Sequence, residues 1–305
     1  MKHLGLLSLA LFCLLLLGAG ISASAQEERP PNIIFILADD LGLRDLRCTG
    51  SDYHRSPNLD KLARQGMMFT DAYANCGNCA PTRAALMSGQ YAPRTGVYTV
   101  NTSARGPANE RKLIPTPNTT TLSPDVVTLA ESLQAAGYTT GHFGKWHLGD
   151  GDTGPLGQGF DVNVAGNHAG HPRSYHSPYR NPDLEDGPAG EYLTDRLTDE
   201  AIGFMQDNKD DPFFLYFAHY AVHTPIQAPK DLVEKYQKKK AQLYGKSKVA
   251  NLPHRYNTVA RSRQDHATYA AMMENLDTNI GRVLQKLDEL KLTENTIILF
   301  TSDNG

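Results

Sequence analysis

Asn32-Ile33-Ile34-Phe35-Ile36-Leu37-Ala38, followed at once by Asp39-Asp40-Leu41-Gly42, is the stretch on which the fold turns. The run from Asn32 to Ala38 carries no charge and is rich in branched side chains. It lacks the polar alternation of a half-exposed strand and reads as one covered on both faces, as in parallel sheets. In open α/β sheets ligands collect outside the carboxyl ends of the strands. Here that end carries two adjacent carboxylates, costly to bury unless they hold a cation. The same pair also suits a solvated turn that caps a helix.

Three further runs have the same character: Tyr138–Phe143, Phe213–Ala218 and Thr296–Ser302. Met67–Ala72 reads as a shorter strand. Between them lie helical stretches: Ser56–Gly66 with Pro57 at its start, Val126–Ala136 closed by Gly137, Tyr192–Met205, and His266–Leu290 with Met272, Leu276, Ile280, Val283, Leu284 and Leu287 at helical spacing. Asn101–Ser123 and Gly151–Ala189, dense in Gly, Pro, Asn and Thr or His, read as long loops. This alternation predicts an α/β fold with a mostly parallel central sheet flanked by helices. In such a sheet the polar residues after each strand converge: Asp39 and Asp40, Lys145 and His147, His223, Asp303 and Asn304. Asp39, Asp40, Asp303 and Asn304 then offer an all-oxygen site. That chemistry favours Ca²⁺ over Mg²⁺ and disfavours transition metals.

A second stretch, Asn75–Gly89, centres on Cys79-Ala80-Pro81-Thr82-Arg83. Pro81 suits the first turn of a helix, where a missing N–H costs nothing. Cys79 then lies near a helix N-terminus, which favours anions, with the permanent cation of Arg83 one turn along. Cys76-Gly77-Asn78-Cys79 also suits one end of a disulfide or a metal knuckle. Lys145 and His147 follow a strand end, where Lys offers a point charge and His a proton-transfer group; a surface turn with Trp146 packed inward is the plainer alternative. His219 reads as a structural histidine and His223, before Thr224-Pro225, as a functional one. Lys230–Arg263 holds many Lys and Arg against Asp231 and Glu234. A solvated basic face is the usual explanation of such a run, and attraction of a polyanion is the other.

These residues together resemble the type I sulfatases. Cys79-Ala80-Pro81-Thr82-Arg83 matches the family's activation signature C-x-P-x-R. Gly137-Tyr138-Thr139-Thr140, running on to Gly144-Lys145-Trp146-His147, resembles its second signature. Gly159-Phe160-Asp161 and His223-Thr224-Pro225 stand where sulfatases carry similar tripeptides. The resemblance runs from Arg29 to Gly305 and implies an alkaline-phosphatase-like sandwich. It implies that Cys79 is oxidised to formylglycine by a formylglycine-generating or anaerobic sulfatase-maturing enzyme. The aldehyde hydrate would bind Ca²⁺ with Asp39, Asp40, Asp303 and Asn304 and attack the sulfur of a sulfate ester. Arg83 would hold the hydrate and Lys145 would contact hydrate or sulfate. His223 would bind sulfate or assist the leaving alcohol, and His147 would take the proton on release. The implied activity is sulfuric ester hydrolysis, with sulfated carbohydrates as the expected substrates.

Aryl sulfates, glycosaminoglycans and algal polysaccharides all remain open as substrates. The loops Asn101–Ser123 and Gly166–Ala189 are expected to line the cleft, the second offering His168, His171, Arg173, His176 and Arg180 to an acidic sugar. A formylglycine-dependent phosphonate or phosphate ester hydrolase is the alternative enzyme, and a non-catalytic glycan-binding relic the alternative class. The family pattern continues past Asp-Asn-Gly with a further active-site Lys and a smaller C-terminal sheet domain. The expectation is therefore a catalytic domain over residues 26–305 truncated at its C-terminal end, inactive or poorly folded by itself.

The amino terminus reads as a secretory signal peptide over residues 1–25. Lys2 and His3 precede the apolar run Leu4–Leu17, and Ala23-Ser24-Ala25 offers a cleavage site before Gln26. That predicts export to a periplasmic or extracellular space (secretory or lysosomal in a eukaryote), with no stable membrane insertion after cleavage. Cys48, Cys76 and Cys79 then remain, an odd number that flags one reactive thiol and leaves Cys48 and Cys76 free to pair or not. A formal charge of −3 over 305 residues gives no general attraction to nucleic acid.

Overall fold

The computed structural model of the chain describes residues 29–245, 247, 251–254 and 258–305. The expected signal peptide and its cleavage point lie outside them. In chain order the elements are β1 (Asn32–Ala38), α1 (Pro57–Gln65), α2 (Cys79–Ser88), α3 (Ala92–Thr95), α4 (Leu129–Ala135), β2 (Thr139–Gly144), β3 (Val162–Val164), α5 (Leu193–Asp207), β4 (Phe213–Ala218), α6 (Lys230–Tyr244), β5 (Asn251–His254), β6 (Thr258–Arg261), α7 (Ala267–Glu289) and β7 (Thr296–Ser302), with short 3₁₀ turns between.

The main sheet has the order β3-β2-β4-β1-β7, and every pairing in it is parallel. The uncharged runs account for this arrangement. Along β1 and β4, side chains of alternating residues enter opposite layers. Ile34, Ile36, Phe213, Leu215 and Phe217 pack with Leu197, Ala201 and Met205 of α5 and with Met272, Leu276, Ile280 and Val283 of α7. Leu37, Phe214 and Tyr216 pack with Ala80, Ala84 and Met87 of α2, Ala130 of α4, Trp146 and Phe160. A strand with both faces dry has no room for polar alternation, which is why β4 is buried throughout. β7 is covered less, with Ile297 and Leu299 about half exposed.

Local chemistry sets the helix ends. Thr128 and Glu131 form a reciprocal capping box at the start of α4, with N···O distances of 3.1 and 2.7 Å. His266 caps α7 by accepting the Tyr269 N–H through Nδ1 at 3.2 Å. Gly144 closes β2 at φ +109°, and a Cβ there would stand 2.0 Å from the Ala218 carbonyl oxygen. Only glycine allows the β2 backbone to approach β4 this closely just before Lys145.

Some expectations are corrected. Met67–Ala72 forms no strand, and Met67 and Phe69 are largely exposed. Strand-forming side chains need a neighbour to pack on, and among the described residues this segment has none. Within the expected loop 151–189, Val162–Val164 pairs with β2. An antiparallel pair, β5 with β6, interrupts the basic segment. On the pairing of Cys48 with Cys76, which the sequence leaves open, the structure gives no disulfide: Cys48, Cys76 and Cys79 are all free thiols.

Candidate active site

Because the main strands run parallel, their carboxyl ends meet. Asp39 and Asp40 follow β1, Lys145 follows β2 and Asp303 follows β7, and α2 enters with Cys79 and Arg83 in its first turns. Asp39, Arg83, Lys145 and Asp303 are essentially inaccessible to solvent. Arg83 Nε and Nη2 donate to Asp303 Oδ2 at 3.0 and 2.8 Å, and Nη1 donates to the Lys145 carbonyl at 2.7 Å. Nη2 also lies 3.5 Å from Asp39 Oδ1. Lys145 Nζ donates to both Asp39 oxygens, at 2.8 and 2.7 Å. Two buried cations therefore face two buried carboxylates, each held by charge-assisted bonds.

Cys79 lies at the edge of this cluster. Its Sγ is 3.8 Å from Asp40 Oδ1 and 3.7 Å from Asn304 Nδ2. Asp303 Oδ1 accepts from the Asp40 N–H at 3.2 Å and from Asn304 Nδ2 at 2.8 Å. One ligand atom from each of Asp39, Asp40, Cys79 and Asp303 falls within 4.8 Å of the others, and Asp40, Cys79 and His223 form an overlapping group. His223 Nε2 is 3.4 Å from Asp40 Oδ2, while Nδ1 faces the Thr224 carbonyl at 2.9 Å. Asp40 and His147 both adopt left-handed backbone, at φ +59° and +65°. That conformation is uncommon outside glycine and recurs where side chains are aimed at a site.

The electrostatics follow from dryness. Burial, partly offset by Lys145 and Arg83, pushes Asp39 up to about 8. Burial also acts on Asp303, but Arg83, a hydrogen bond with Asp39 and Lys145 outweigh it and hold that group below the usual carboxylate range. Burial first, and Asp39 second, push the Cys79 thiol up to about 12. The sulfur is thus a protonated thiol and a poor nucleophile as it stands. Burial, reinforced by Lys145 and Arg83, brings His147 down to about 3, and its Nδ1 is buried without a partner among the described residues. Two carboxylates in contact must share a proton or a cation. A cation is the better fit here, since Asp39, Asp40 and Asp303 each bring a carboxylate oxygen within 4.8 Å of the others, with the Asn304 amide beside them.

Asp39, Asp40, Cys79, Arg83, Lys145, His223, Asp303 and Asn304 thus form one connected set. His147 stands beside it, its N–H on the Asn167 carbonyl at 2.9 Å and its ring 6.3 Å from that of His168. The sequence gives no sign of Tyr175, whose hydroxyl donates to the carbonyls of Tyr220 and His223 at 2.6 and 3.0 Å and so fixes the His223 turn. Next to the set opens a cavity of about 450 Å³ walled by Asp150, His168, His171, Arg173 and Arg180. The His171 ring lies parallel to that of His223, 6.1 Å away. His219 does not join the site; it is buried against Phe217.

A sulfatase family profile matches residues 31–305. The chain belongs to the sulfatase family. A sulfatase of Formosa agariphila is 33% identical over 95% of this chain and 61% of its own length. The mouse N-acetylgalactosamine-6-sulfatase is 34% identical over 96% of this chain and 54% of its own. Among solved structures, Ps i-CgsB in complex with k-i-k-neocarrahexaose superposes with a TM-score of 0.69 at 31% identity, covering 91% of this chain and 59% of that one. The parallel sheet and flanking helices are those of the sulfatase fold. This sulfatase chain spans between half and two thirds of the length of the curated relatives named here. Among its described residues no helix is long and apolar enough to cross a membrane.

Proposed function

We propose that this chain is the catalytic portion of an exported sulfatase that hydrolyses sulfate esters of carbohydrates, using formylglycine made from Cys79 and a bound Ca²⁺. The observation that carries the reading is the position of Cys79 Sγ, 3.8 Å from Asp40 Oδ1 and 3.7 Å from Asn304 Nδ2, with Arg83 one turn along the helix. Three carboxylates and an amide are hard donors. Sulfur at position 79 is the one soft atom in the set, and oxidation there makes the set all oxygen.

Formylglycine would supply a hydroxyl nucleophile and a carbonyl that can re-form to expel sulfate, while Ca²⁺ would lower that hydroxyl's pKa and hold a sulfate oxygen. The chain's own residues do the rest. Arg83 locks Asp303 and the Lys145 carbonyl, so the donors converge before substrate arrives. Lys145 brings a buried positive charge to where sulfate charge develops. His147, neutral through burial, is in the form that accepts a proton, and a nearby anion raises its proton affinity. His223, with Nδ1 donating to the Thr224 carbonyl, keeps Nε2 on the Asp40 side, where its imidazolium form, protonated beside the Asp40 carboxylate, would hand a proton to the leaving alcohol and return to the neutral ring. His168, His171, Arg173 and Arg180 supply the polar wall that a sulfated sugar needs.

The test is mass spectrometry of the Cys79 peptide from cells carrying a maturation enzyme. The expected peptide has exchanged sulfur for oxygen and lost two hydrogens. The whole matured protein then shows higher kcat/KM on an aryl sulfate than on the matched phosphate, and Cys79→Ala abolishes turnover. An unmodified thiol, beside a control sulfatase that is converted, sinks the proposal. Ca²⁺ is expected to raise Tm, and Asp303→Asn to remove that shift.

A further inference from the structure

The basic segment 230–263 separates in the structure into paired and unpaired charges. Lys235 pairs with Glu274, while Lys240, Arg261 and Arg263 gather around Asp265. Lys239 joins neither group. Its Nζ donates to the Tyr53 carbonyl at 2.6 Å and lies 5.4 and 5.8 Å from the ring centres of Tyr53 and Tyr236. Those contacts fix the ammonium at the wall of a cavity of about 310 Å³ whose other cations are Arg47 and Arg55. None of its lining residues belongs to the set around Cys79 or to the larger cleft beside it.

Among the described residues Arg47, Arg55 and Lys239 make no ion pair with any carboxylate. Asp60 is the one acid in the wall, and its Oδ1 is taken up by the Cys48 N–H at 2.9 Å and the Ser56 hydroxyl at 3.0 Å. His54, also in the wall, is buried and held neutral, its Nδ1 on the Asp45 carbonyl at 3.0 Å. Burial first, and then the like charges of Arg55 and Arg47, lower the pKa of Lys239. Three cations thus border one half-open cavity whose wall holds a single carboxylate, with Glu274 acting on Lys239 from outside it, and an anion relieves their repulsion. The volume is at the lower end of the range for small-ligand sites.

We propose that the cavity walled by Arg47, Arg55 and Lys239 binds an oxyanion, either free sulfate or a sulfate group carried on a glycan, at a place separate from Cys79. Two guanidiniums and an ammonium provide forked and point donors suited to tetrahedral oxygen. A second anchor of this kind lets a polyanion be held at two points, which multiplies affinity without new contacts at the nucleophile.

The test is calorimetric titration of the whole protein with inorganic sulfate and, separately, with a multiply sulfated dextran oligosaccharide. The variants are Arg47→Gln/Arg55→Gln, both exposed positions, and Arg47→Glu. No turnover is required, so failure here is distinct from failure of the sulfatase reading. The double variant is expected to weaken one class of sulfate sites about tenfold or more while aryl sulfate hydrolysis is unchanged, with a larger loss for Arg47→Glu. Weakening of the oligosaccharide alone assigns the site to a chain-borne sulfate, and weakening of inorganic sulfate alone assigns it to the free ion. Unchanged affinity for both probes, in variants with wild-type Tm and far-ultraviolet circular dichroism, overturns the proposal.

Discussion

At the carboxyl end of β1 the buried charges are matched; along the 168–180 loop the cations are not. Arg83 and Lys145 face Asp39 and Asp303 across bonds of 2.7–3.0 Å in a region without solvent. Arg173 and Arg180, on the wall of the adjoining cavity, are exposed and make no ion pair among the described residues. Charges locked in this way cannot reorganise when substrate binds, and so they suit chemistry that needs fixed dipoles. Charges left unpaired keep their donors for a ligand. On the proposed function, the difference separates a fixed reaction centre from a surface that selects what reaches it.

The comparison is broken most directly at Arg83. Replacing it with Met leaves Asp39 and Asp303 facing each other in the dry interior with one fewer cation. The expected cost is about 3–5 kcal/mol in urea unfolding without added metal, and turnover is lost with it. Added Ca²⁺ is expected to restore part of the stability, because the ion takes up charge that Arg83 carried. A variant as stable as wild type with and without Ca²⁺ would mean that the cluster is not the electrostatic unit described.

The reaction centre is largely legible in the sequence because it is local to strand ends. Uncharged runs followed at once by Asp39-Asp40, by Gly144-Lys145 and by Asp303-Asn304 locate its polar side chains, and one helical turn joins Cys79 to Arg83. What the sequence leaves out is carried by long-range contacts. Tyr175 reaches the His223 carbonyl across a loop that has no regular pattern. β3 is only Val162–Val164, too short to show a period. Lys239 looks like its neighbours Lys238 and Lys240, and only the packing of α6 against Tyr53 distinguishes it. Met67–Ala72 has the residues of a strand without a partner, a reminder that strand propensity is a property of neighbours.

On the selective side the effects are smaller. Arg173→Ala together with Arg180→Ala is expected to raise KM for a sulfated oligosaccharide about tenfold, with kcat little changed and with aryl sulfate kinetics unaffected. Loss of uniform binding moves KM alone. A matching fall in kcat would place these arginines in the reaction centre and erase the division.

The smallest effect tests the dryness of the interior itself. His219 is buried at the end of β4, its ring nitrogens have no partner among the described residues, and burial brings its pKa down to about 3. The unfolded chain binds that proton near pH 6.5. Between those values the unfolded state holds the extra proton, so stability falls as pH drops below about 6.5. His219→Phe removes the penalty. The variant is expected to lose about 1 kcal/mol less than wild type between pH 7 and pH 5.5, measured by urea unfolding at each pH. His142 and His147, likewise brought down to about 3 by burial, continue to titrate in the variant, so the slope shrinks without vanishing. Parallel pH profiles for the two proteins would mean that water reaches His219 and that the dry region stops short of β4.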